Sequence, residues 1–209
     1  MTDNVQQLIN FCDKETLQTS LSFMGLFIGM YEQFIDMVED RVESFLCDDM
    51  RANENGELRY VHSTEYLKSI KQRIVDEKGN KNTLKASMLW LQDQGAITTE
   101  DYDKFLRIKT QRDLFVHKMS DHILNGLDEN HAAYLLDLHD LFYKIDNWWI
   151  NVIEASYPDE SFPEAYDKEE VRSLALSCYE MMFNVLYGDK SEAYMQEIQQ
   201  TLSKINHQN

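Results

Sequence analysis

Apolar residues recur at spacings of three and four from Thr16 to about Cys47, and this periodicity constrains the fold more than any other feature of the sequence. These residues are Phe23, Phe27, Tyr31, Phe34, Met37, Val38 and Phe45. The spacing predicts one long helix. Because the segment from Leu21 to Ile35 is apolar nearly all round, the middle of this helix is expected to be buried. A helix that is buried on several sides needs other elements packed around it.

Polar capping residues and glycine stops mark the other predicted helices. In chain order these run from Ser63 to about Asp76, from Asn82 or Thr83 to Gly95, from Thr98 to about Leu124, from Asp128 through Trp149, and over about 167–187 and 190–205. The polar stretch 48–61 carries an Asn55-Gly56 turn signal and is predicted to be a loop or a short hairpin. Pro158 and Pro163 both fall in one further loop.

Composition supports a helical class. The 209 residues include only 2 prolines and 7 glycines, fewer turn formers than an all-β fold requires. Hydrophobic residues make up 43% of the chain, which is enough for a buried core. We therefore predict an all-α fold, a single-domain helical bundle of about seven helices. Its core is expected at roughly 16–156, with a C-terminal helical appendage at roughly 157–209.

Cysteine usage and the apolar segments bear on the compartment. Cys12, Cys47 and Cys178 lie far apart and lack CxxC spacing, which favours free thiols in a reducing compartment. The N-terminal residues are polar and acidic, unlike a signal peptide. The most apolar stretch, 21–35, contains Glu32 and is shorter than the roughly 20 residues of a membrane span. The sequence therefore predicts a cytoplasmic protein that does not enter a membrane.

Charge is distributed unevenly along the chain. With 37 acidic and 20 basic side chains the net charge is -17, which argues against a protein that coats nucleic acid. Residues 104–118, called here the basic island, are the exception because they carry five basic side chains against Asp113 alone. These are Lys104, Arg107, Lys109, Arg112 and Lys118. The basic island indicates either an intramolecular clasp with neighbouring carboxylates or a site for an anion such as phosphate.

The basic island also contains the segment Arg112–His117, with the sequence RDLFVH. An arginine and a polar residue are followed, after apolar residues, by a histidine, and the turn Gly95–Ile97 precedes the helix that carries them. This layout resembles the HEPN superfamily (higher eukaryotes and prokaryotes nucleotide-binding), in particular the HEPN toxins of bacterial toxin–antitoxin pairs. The resemblance covers roughly residues 84–124, and the helix over 16–47 fits the first bundle helix of the family only loosely.

The resemblance implies a homodimer with a composite site for metal-independent RNA cleavage, in which a 2′-hydroxyl attacks the adjacent phosphate and leaves a 2′,3′-cyclic end. His117 would move protons, and Arg112, as a planar and permanent cation, would stabilise the crowded phosphorane. Asp113 holds the polar position, where the family often has Asn. The implied partners are a structured RNA substrate and a cognate antitoxin or another protein. Some HEPN toxins carry a Tyr two residues after the His, where this chain has Met119.

Helix geometry adds a separate argument about the same residues. Asp113 and His117 are four positions apart and share a helix face, so a hydrogen bond between them would orient the imidazole. Arg112 lies about 140° round the helix from His117, so one helix brings the two together poorly. A two-fold partner that presents the same helix antiparallel would gather both pairs in one cleft.

Phosphate contacts are expected from basic side chains on and near this helix, namely Lys104, Arg107, Lys109, Lys118 and His122. The sequence contains no Gly-rich phosphate loop, no Ser nucleophile elbow and no zinc cluster, and it predicts no cofactor. It also predicts no metal site. Asp113, His117 and Asp121 recur at helical spacing, and an acid precedes His131 by three, but the second such pair that a di-iron bundle requires is missing. His62 receives no predicted role.

Two functions remain open from the sequence. The first is a HEPN-like endoribonuclease of the toxin or defence type. The second is a non-catalytic helical interaction or scaffold protein of the same fold. The acidic composition favours the second, whereas the basic island favours the first.

Overall fold

The computed structural model describes residues 2–157 and 165–188, most of which are helical. The α-helices are α1 (Thr2–Cys12), α2 (Lys14–Leu46), α3 (Thr64–Tyr66), α4 (Thr83–Asp93), α5 (Thr99–His117), α6 (Met119–Asn125), α7 (Glu129–Trp148) and α8 (Leu174–Tyr187). The strands are β1 (Cys47–Ala52) and β2 (Leu58–His62). The prediction of an all-α class is confirmed, with one two-stranded antiparallel sheet among the described residues.

Helix α2 is the centre of the fold, as its periodicity predicts. Asp13 caps it by accepting a hydrogen bond from the backbone N–H of Thr16 at 2.8 Å. Helices α4, α5, α7 and α8 pack around it. Met24, Phe27 and Phe34 on α2 are fully buried. Phe45, predicted to belong to the same apolar set, is 41% exposed because it lies near the end of the helix.

The segment after α2 forms the short hairpin that the Asn-Gly signal indicates. Strands β1 and β2 pair antiparallel, with Cys47 opposite His62 at the open end of the hairpin. Gly56 has φ +81°, a left-handed conformation that glycine adopts without strain. Ser63 then caps α3 by accepting the backbone N–H of Tyr66 at 3.0 Å, also as predicted.

The predicted helix from Ser63 to Asp76 is wrong beyond its first turns. Helix α3 passes into a π-helical turn at Leu67–Lys71 and the helical path ends there. The carboxylate of Asp76 accepts the backbone N–H groups of Lys78 and Asn80, both at 3.0 Å. This local side-chain pairing offers the backbone a turn in place of a further helical turn.

The predicted starts of α4, α5 and α7 are confirmed by their caps. Asn82 accepts the backbone N–H of Lys85 at 2.9 Å at the start of α4. Thr98 and Asp101 form a reciprocal capping box at the start of α5, and Asp128 caps α7 in the same way. These caps fix where each helix begins, and the buried apolar faces fix how each is rotated.

The predicted helix from Thr98 to Leu124 is two helices. It breaks at Lys118, where φ is -128° and ψ is 31°, and α6 continues in a new direction. Helix α1, which the sequence analysis did not predict, packs against α6. The side-chain amide of Asn10 donates to the carbonyl of Leu124 at 2.9 Å, and that of Gln7 donates to the side chain of Asn125 at 2.9 Å.

The C-terminal part of the chain departs further from the prediction. Helix α7 continues through a π-helical turn at Trp149–Ile153 and a 3-10 turn at Glu154–Ser156. Helix α8 begins at Leu174 rather than at 167, after a Ser173 cap. The predicted proline loop, apart from its flanks, and the predicted helix over 190–205 lie outside the described residues. Among the helices described, none combines the length and apolar character that crossing a membrane requires.

Candidate functional site

Helix α5 positions the segment Arg112–His117 on the body of the fold. Phe105, Ile108 and Phe115 are fully buried along one side of this helix. Phe115 packs edge-on against Phe27 of α2, with ring centroids 5.1 Å apart. Because this apolar face is fixed in the core, the other side chains of the segment lie at its edges or in solvent.

Arg112 is held against α2 by an acidic and an aromatic side chain. Its Nε donates to Oε1 of Glu32 at 2.8 Å, and a second guanidinium nitrogen donates to the same oxygen. Its Nη1 donates to Asp113 at 3.2 Å, and the guanidinium lies 5.7 Å from the ring centroid of Tyr31. The hydrogen bonds to Glu32 raise the pKa of Arg112 above its ordinary value, so this arginine is a permanent cation. Its side chain is 27% exposed and therefore reachable from solvent.

Asp113 does not make the predicted hydrogen bond to His117. Its carboxylate accepts from Lys109 Nζ at 2.8 Å and from Arg112 instead. Partial burial opposes ionisation, but the hydrogen bonds and charges of Lys109 and Arg112 hold the pKa of Asp113 below its ordinary value. The shared helix face was predicted correctly, but Asp113 lies equally close to a cation one turn earlier, and that cation is its partner.

His117 is the last residue of α5, and its side chain is exposed to solvent. Its imidazole forms no hydrogen bond and no ion pair with the described residues. Because α5 ends here, the neighbouring Lys118 and Met119 are exposed as well. His117 is therefore available to a ligand or to a second protein chain.

The basic island is in part the intramolecular clasp that the sequence left open. Lys104 pairs with Asp137 of α7 at 3.0 Å, Lys109 with Asp113, and Arg112 with Glu32. Arg107 and Lys118 make no ion pair within the described part of the chain, and both are exposed. Of the predicted phosphate contacts, these two lie on the surface without a carboxylate partner.

His122 lies apart from the other predicted site residues, because the break at Lys118 places it on α6. It packs edge-on against Phe115 at 5.0 Å and against His131 of α7 at 5.1 Å between ring centroids. Burial lowers the pKa of His122, and the nearby charge of His131 adds to this effect. His122 is thus half-buried in an aromatic cluster, and the structure does not bring it to Arg112.

The break also separates the three residues considered above as metal ligands at helical spacing. Asp113 and His117 lie on α5, whereas Asp121 lies on α6, so they do not share one helix face. His139, on α7, is a further histidine with an acidic neighbour. It is half-buried, and its Nε2 lies 3.0 Å from Oε1 of Glu180 on α8.

The sequence analysis missed Glu32 as a site residue, although a signal was present. Glu32 is the only acid in the apolar stretch 21–35. A single charge in a buried helix usually has a partner, since an unpaired charge there is costly. That partner is Arg112, 80 residues later in the chain.

Comparisons of the chain with known protein families, with curated proteins and with solved structures find no match.

Proposed function

We propose that the protein is a HEPN-like endoribonuclease that acts as a homodimer, with a composite site built from the C-terminal ends of two α5 helices. The placement of His117 is the observation that supports this most. It ends α5 in solvent without a partner among the described residues, five positions after the partly exposed Arg112. A histidine that no neighbour engages is free to exchange protons with a substrate.

The chemistry follows from these two side chains. One imidazole takes the proton of the attacking 2′-hydroxyl, and the imidazole of the second copy gives a proton to the departing 5′-oxygen. The bond from phosphorus to the 2′-oxygen forms as the bond to the 5′-oxygen breaks, so that the phosphate ends as a 2′,3′-cyclic ester. Arg112 stabilises the extra negative charge of the phosphorane. No step in this scheme needs a metal ion.

Arg112 is preorganised rather than free in this proposal. A guanidinium has five N–H donors, and three hydrogen bonds to Glu32 and Asp113 engage one N–H on each of its nitrogens. The remaining donors can bind a phosphate oxygen. Arg107 and Lys118, which have no carboxylate partner in the described structure, add positive charge for a structured RNA substrate.

A second candidate function is a non-catalytic interaction protein of the same fold. The observation that favours it is the clasp, because Lys104, Lys109 and Arg112 all pair with carboxylates of their own chain. In this case Arg112 serves mainly to join α5 to α2. A cognate antitoxin or another protein would then be bound without any cleavage of RNA.

An RNA cleavage assay in the presence of EDTA separates the two functions. The pure full-length chain is incubated with transfer RNA and with structured RNA hairpins, and product ends are tested for 2′,3′-cyclic phosphate. The endoribonuclease predicts cleavage that survives chelation and is lost in His117→Ala and in Arg112→Ala. The matched control is Val152→Ala, a similarly exposed valine outside α5 that should leave cleavage unchanged.

Stability and oligomeric state complete this test. Arg112→Ala should lower the free energy of unfolding by no more than about 1 kcal/mol, the usual contribution of a solvent-exposed ion pair. Sedimentation should show a dimer. A monomer that cleaves no RNA, together with a large stability loss in Arg112→Ala, would establish the interaction protein instead.

A further inference from the structure

Three metal-ligating side chains meet where α2 ends and the hairpin begins. Glu43 lies in the last turn of α2, and Cys47 follows it by four residues at the start of β1. His62 is the last residue of β2 and lies opposite Cys47 in the antiparallel strand pair. One ligand atom from each of the three lies within 4.8 Å of the other two. The cluster is far from α5 in the sequence and plays no part in the proposed RNA chemistry.

The three side chains are held in place by their surroundings. Nε2 of His62 lies 2.7 Å from Oε1 of Glu43. The ring of His62 packs on that of the buried Tyr66, with centroids 4.5 Å apart. Ser63 bonds through its hydroxyl to the carbonyl of Leu46, and so fastens the end of β2 to the end of α2. The relative positions of the two backbone segments are therefore fixed before any ligand arrives.

Local charge favours a cation at this cluster. Asp48 lies close enough to Cys47, and Glu39 close enough to Tyr66, to act on each electrostatically. Glu43 adds a third carboxylate. Lys71 is the basic side chain that acts on Cys47 from the facing π-helical turn. The cluster therefore lies in an excess of negative charge, which would attract a divalent cation.

We propose that Glu43, Cys47 and His62 bind a single Zn²⁺ ion. Thiolate, imidazole and carboxylate are the three ligand types that zinc takes in proteins, at distances of about 2.0–2.3 Å. Ligand atoms in a tetrahedron of that size are separated by roughly 3.3–3.8 Å, which small side-chain rotations can provide from the arrangement described. Three protein ligands leave a fourth position, and because His62 is partly exposed this position would face solvent.

The proposed ion would join the hairpin to α2. One ligand comes from the last turn of α2, one from the first residue of β1 and one from the last residue of β2, so zinc would close the loop between these segments. In the absence of metal, His62 and Glu43 are joined by a hydrogen bond, and Cys47 lies beside them as a thiol. The two states differ in whether Cys47 is a ligand, and this difference can be measured.

Cobalt substitution tests the proposal on the full, reduced chain after treatment with a chelator. A tetrahedral Co²⁺ site with a thiolate ligand should give visible absorption and a sulfur-to-cobalt charge-transfer band, and Zn²⁺ should displace the cobalt. Cys47→Ser should abolish the charge-transfer band. It should also weaken zinc binding, measured against a competing chromophoric chelator, by about tenfold or more.

The chain supplies its own matched controls. Cys12→Ser and Cys178→Ser remove exposed thiols elsewhere and should leave the spectrum and the zinc affinity unchanged. His62→Gln alters a partly exposed side chain, should keep the fold as judged by circular dichroism, and should also weaken zinc binding. The proposal is overturned if the wild-type chain gives no charge-transfer band, or if Cys47→Ser and His62→Gln bind zinc as the wild-type chain does. Neither result depends on RNA cleavage, so this proposal and the proposed function can fail separately.

Discussion

The guanidinium of Arg112 and the carboxylate of Glu32 join α5 to α2, with Nε and Oε1 2.8 Å apart. Both side chains remain partly exposed, Arg112 by 27% and Glu32 by 46%. Exposed ion pairs contribute only about 0–1 kcal/mol to stability, so little free energy opposes their opening. Glu32 therefore engages, from within the chain, donors of Arg112 that would otherwise also be open to a phosphate in the proposed endoribonuclease.

The first prediction concerns Glu32→Gln, which removes this internal competitor. We expect the affinity for a labelled RNA hairpin, measured by fluorescence anisotropy, to rise by up to about fivefold, the factor that corresponds to ~1 kcal/mol. The free energy of unfolding should fall by no more than about 1 kcal/mol. The control is Glu54→Gln, which makes the same change of charge at an exposed turn of the hairpin. Equal RNA affinities for the two variants would contradict the prediction.

The second prediction concerns Asp146, a fully buried carboxylate. It accepts from Nη1 of Arg41 at 2.8 Å and from the backbone N–H of Ser173 at 2.5 Å, and so ties the start of α8 to α2 and α7. Asp146→Ala breaks a buried ion pair and leaves Arg41 with Glu154, 3.7 Å away and partly exposed, as its remaining acidic partner among the described residues. Breaking a buried pair in this way typically costs about 3–5 kcal/mol. Denaturant unfolding should show a loss of this size. Asp140→Asn, on the exposed side of α7, should change stability by less than about 0.5 kcal/mol.

The third prediction concerns the apolar side of α5. Phe115 is fully buried and packs edge-on against Phe23 and Phe27 of α2. Phe115→Ala should lower the free energy of unfolding by about 3–5 kcal/mol, because it removes buried surface and leaves a cavity. Phe183→Ala, at a site that is 37% exposed, should cost clearly less. If both variants lose the same amount, the rotation of α5 described here is wrong.

The starts of the helices could be predicted from the sequence, whereas one break and one packing partner could not. Asn82, Thr98 and Asp128 act through the next three residues, so their capping is visible locally. The break at Lys118, in contrast, depends on contacts with residues far away in the sequence. The residues after it are still helical, and the new direction of α6 is stabilised by the amides of Gln7 and Asn10 on α1, which precede their partners by 118 and 114 residues.

In the candidate site, too, the local residue pattern could be read from the sequence, whereas the contacts between helices could not. The spacing in the sequence selects Arg112, Asp113 and His117 as candidates, and His117 is exposed to solvent. The partners of these residues depend on packing. Glu32 reaches Arg112 only because α2 and α5 lie side by side, and a pattern within α5 cannot reveal it. Cys47 and His62 meet for a similar reason, since strand pairing sets them opposite one another.

The fourth prediction concerns the dependence of stability on pH through His122. Burial and the charge of His131 lower the pKa of His122 in the folded state below the value of about 6.5 expected in the unfolded chain. The unfolded state therefore binds the proton first as the pH falls. The stabilisation that neutral His122 contributes is fully present above its pKa in the unfolded chain. It decreases as the pH falls from that value to the pKa of His122 in the folded chain.

Some charged groups near His122 raise its pKa and others lower it, but the net shift remains downward. His131 and Lys118 lower the pKa of His122, whereas Asp121 and Asp128 raise it by less than burial lowers it. The pKa of Asp128 is itself lowered, so its own contribution to stability is lost only in more acidic solution, below its ordinary value of 3.8. Measurements between about pH 7.5 and pH 5 therefore report on the histidine cluster and not on this carboxylate.

His122→Phe tests this prediction because it keeps an aromatic ring against Phe115 and His131 without a titrating nitrogen. The wild-type chain should lose stability between about pH 7 and pH 6, measured by urea unfolding at fixed ionic strength. The variant should lose less over the same range. If the two pH profiles are parallel, or if the wild-type chain becomes more stable as the pH falls, His122 is not held neutral by its surroundings.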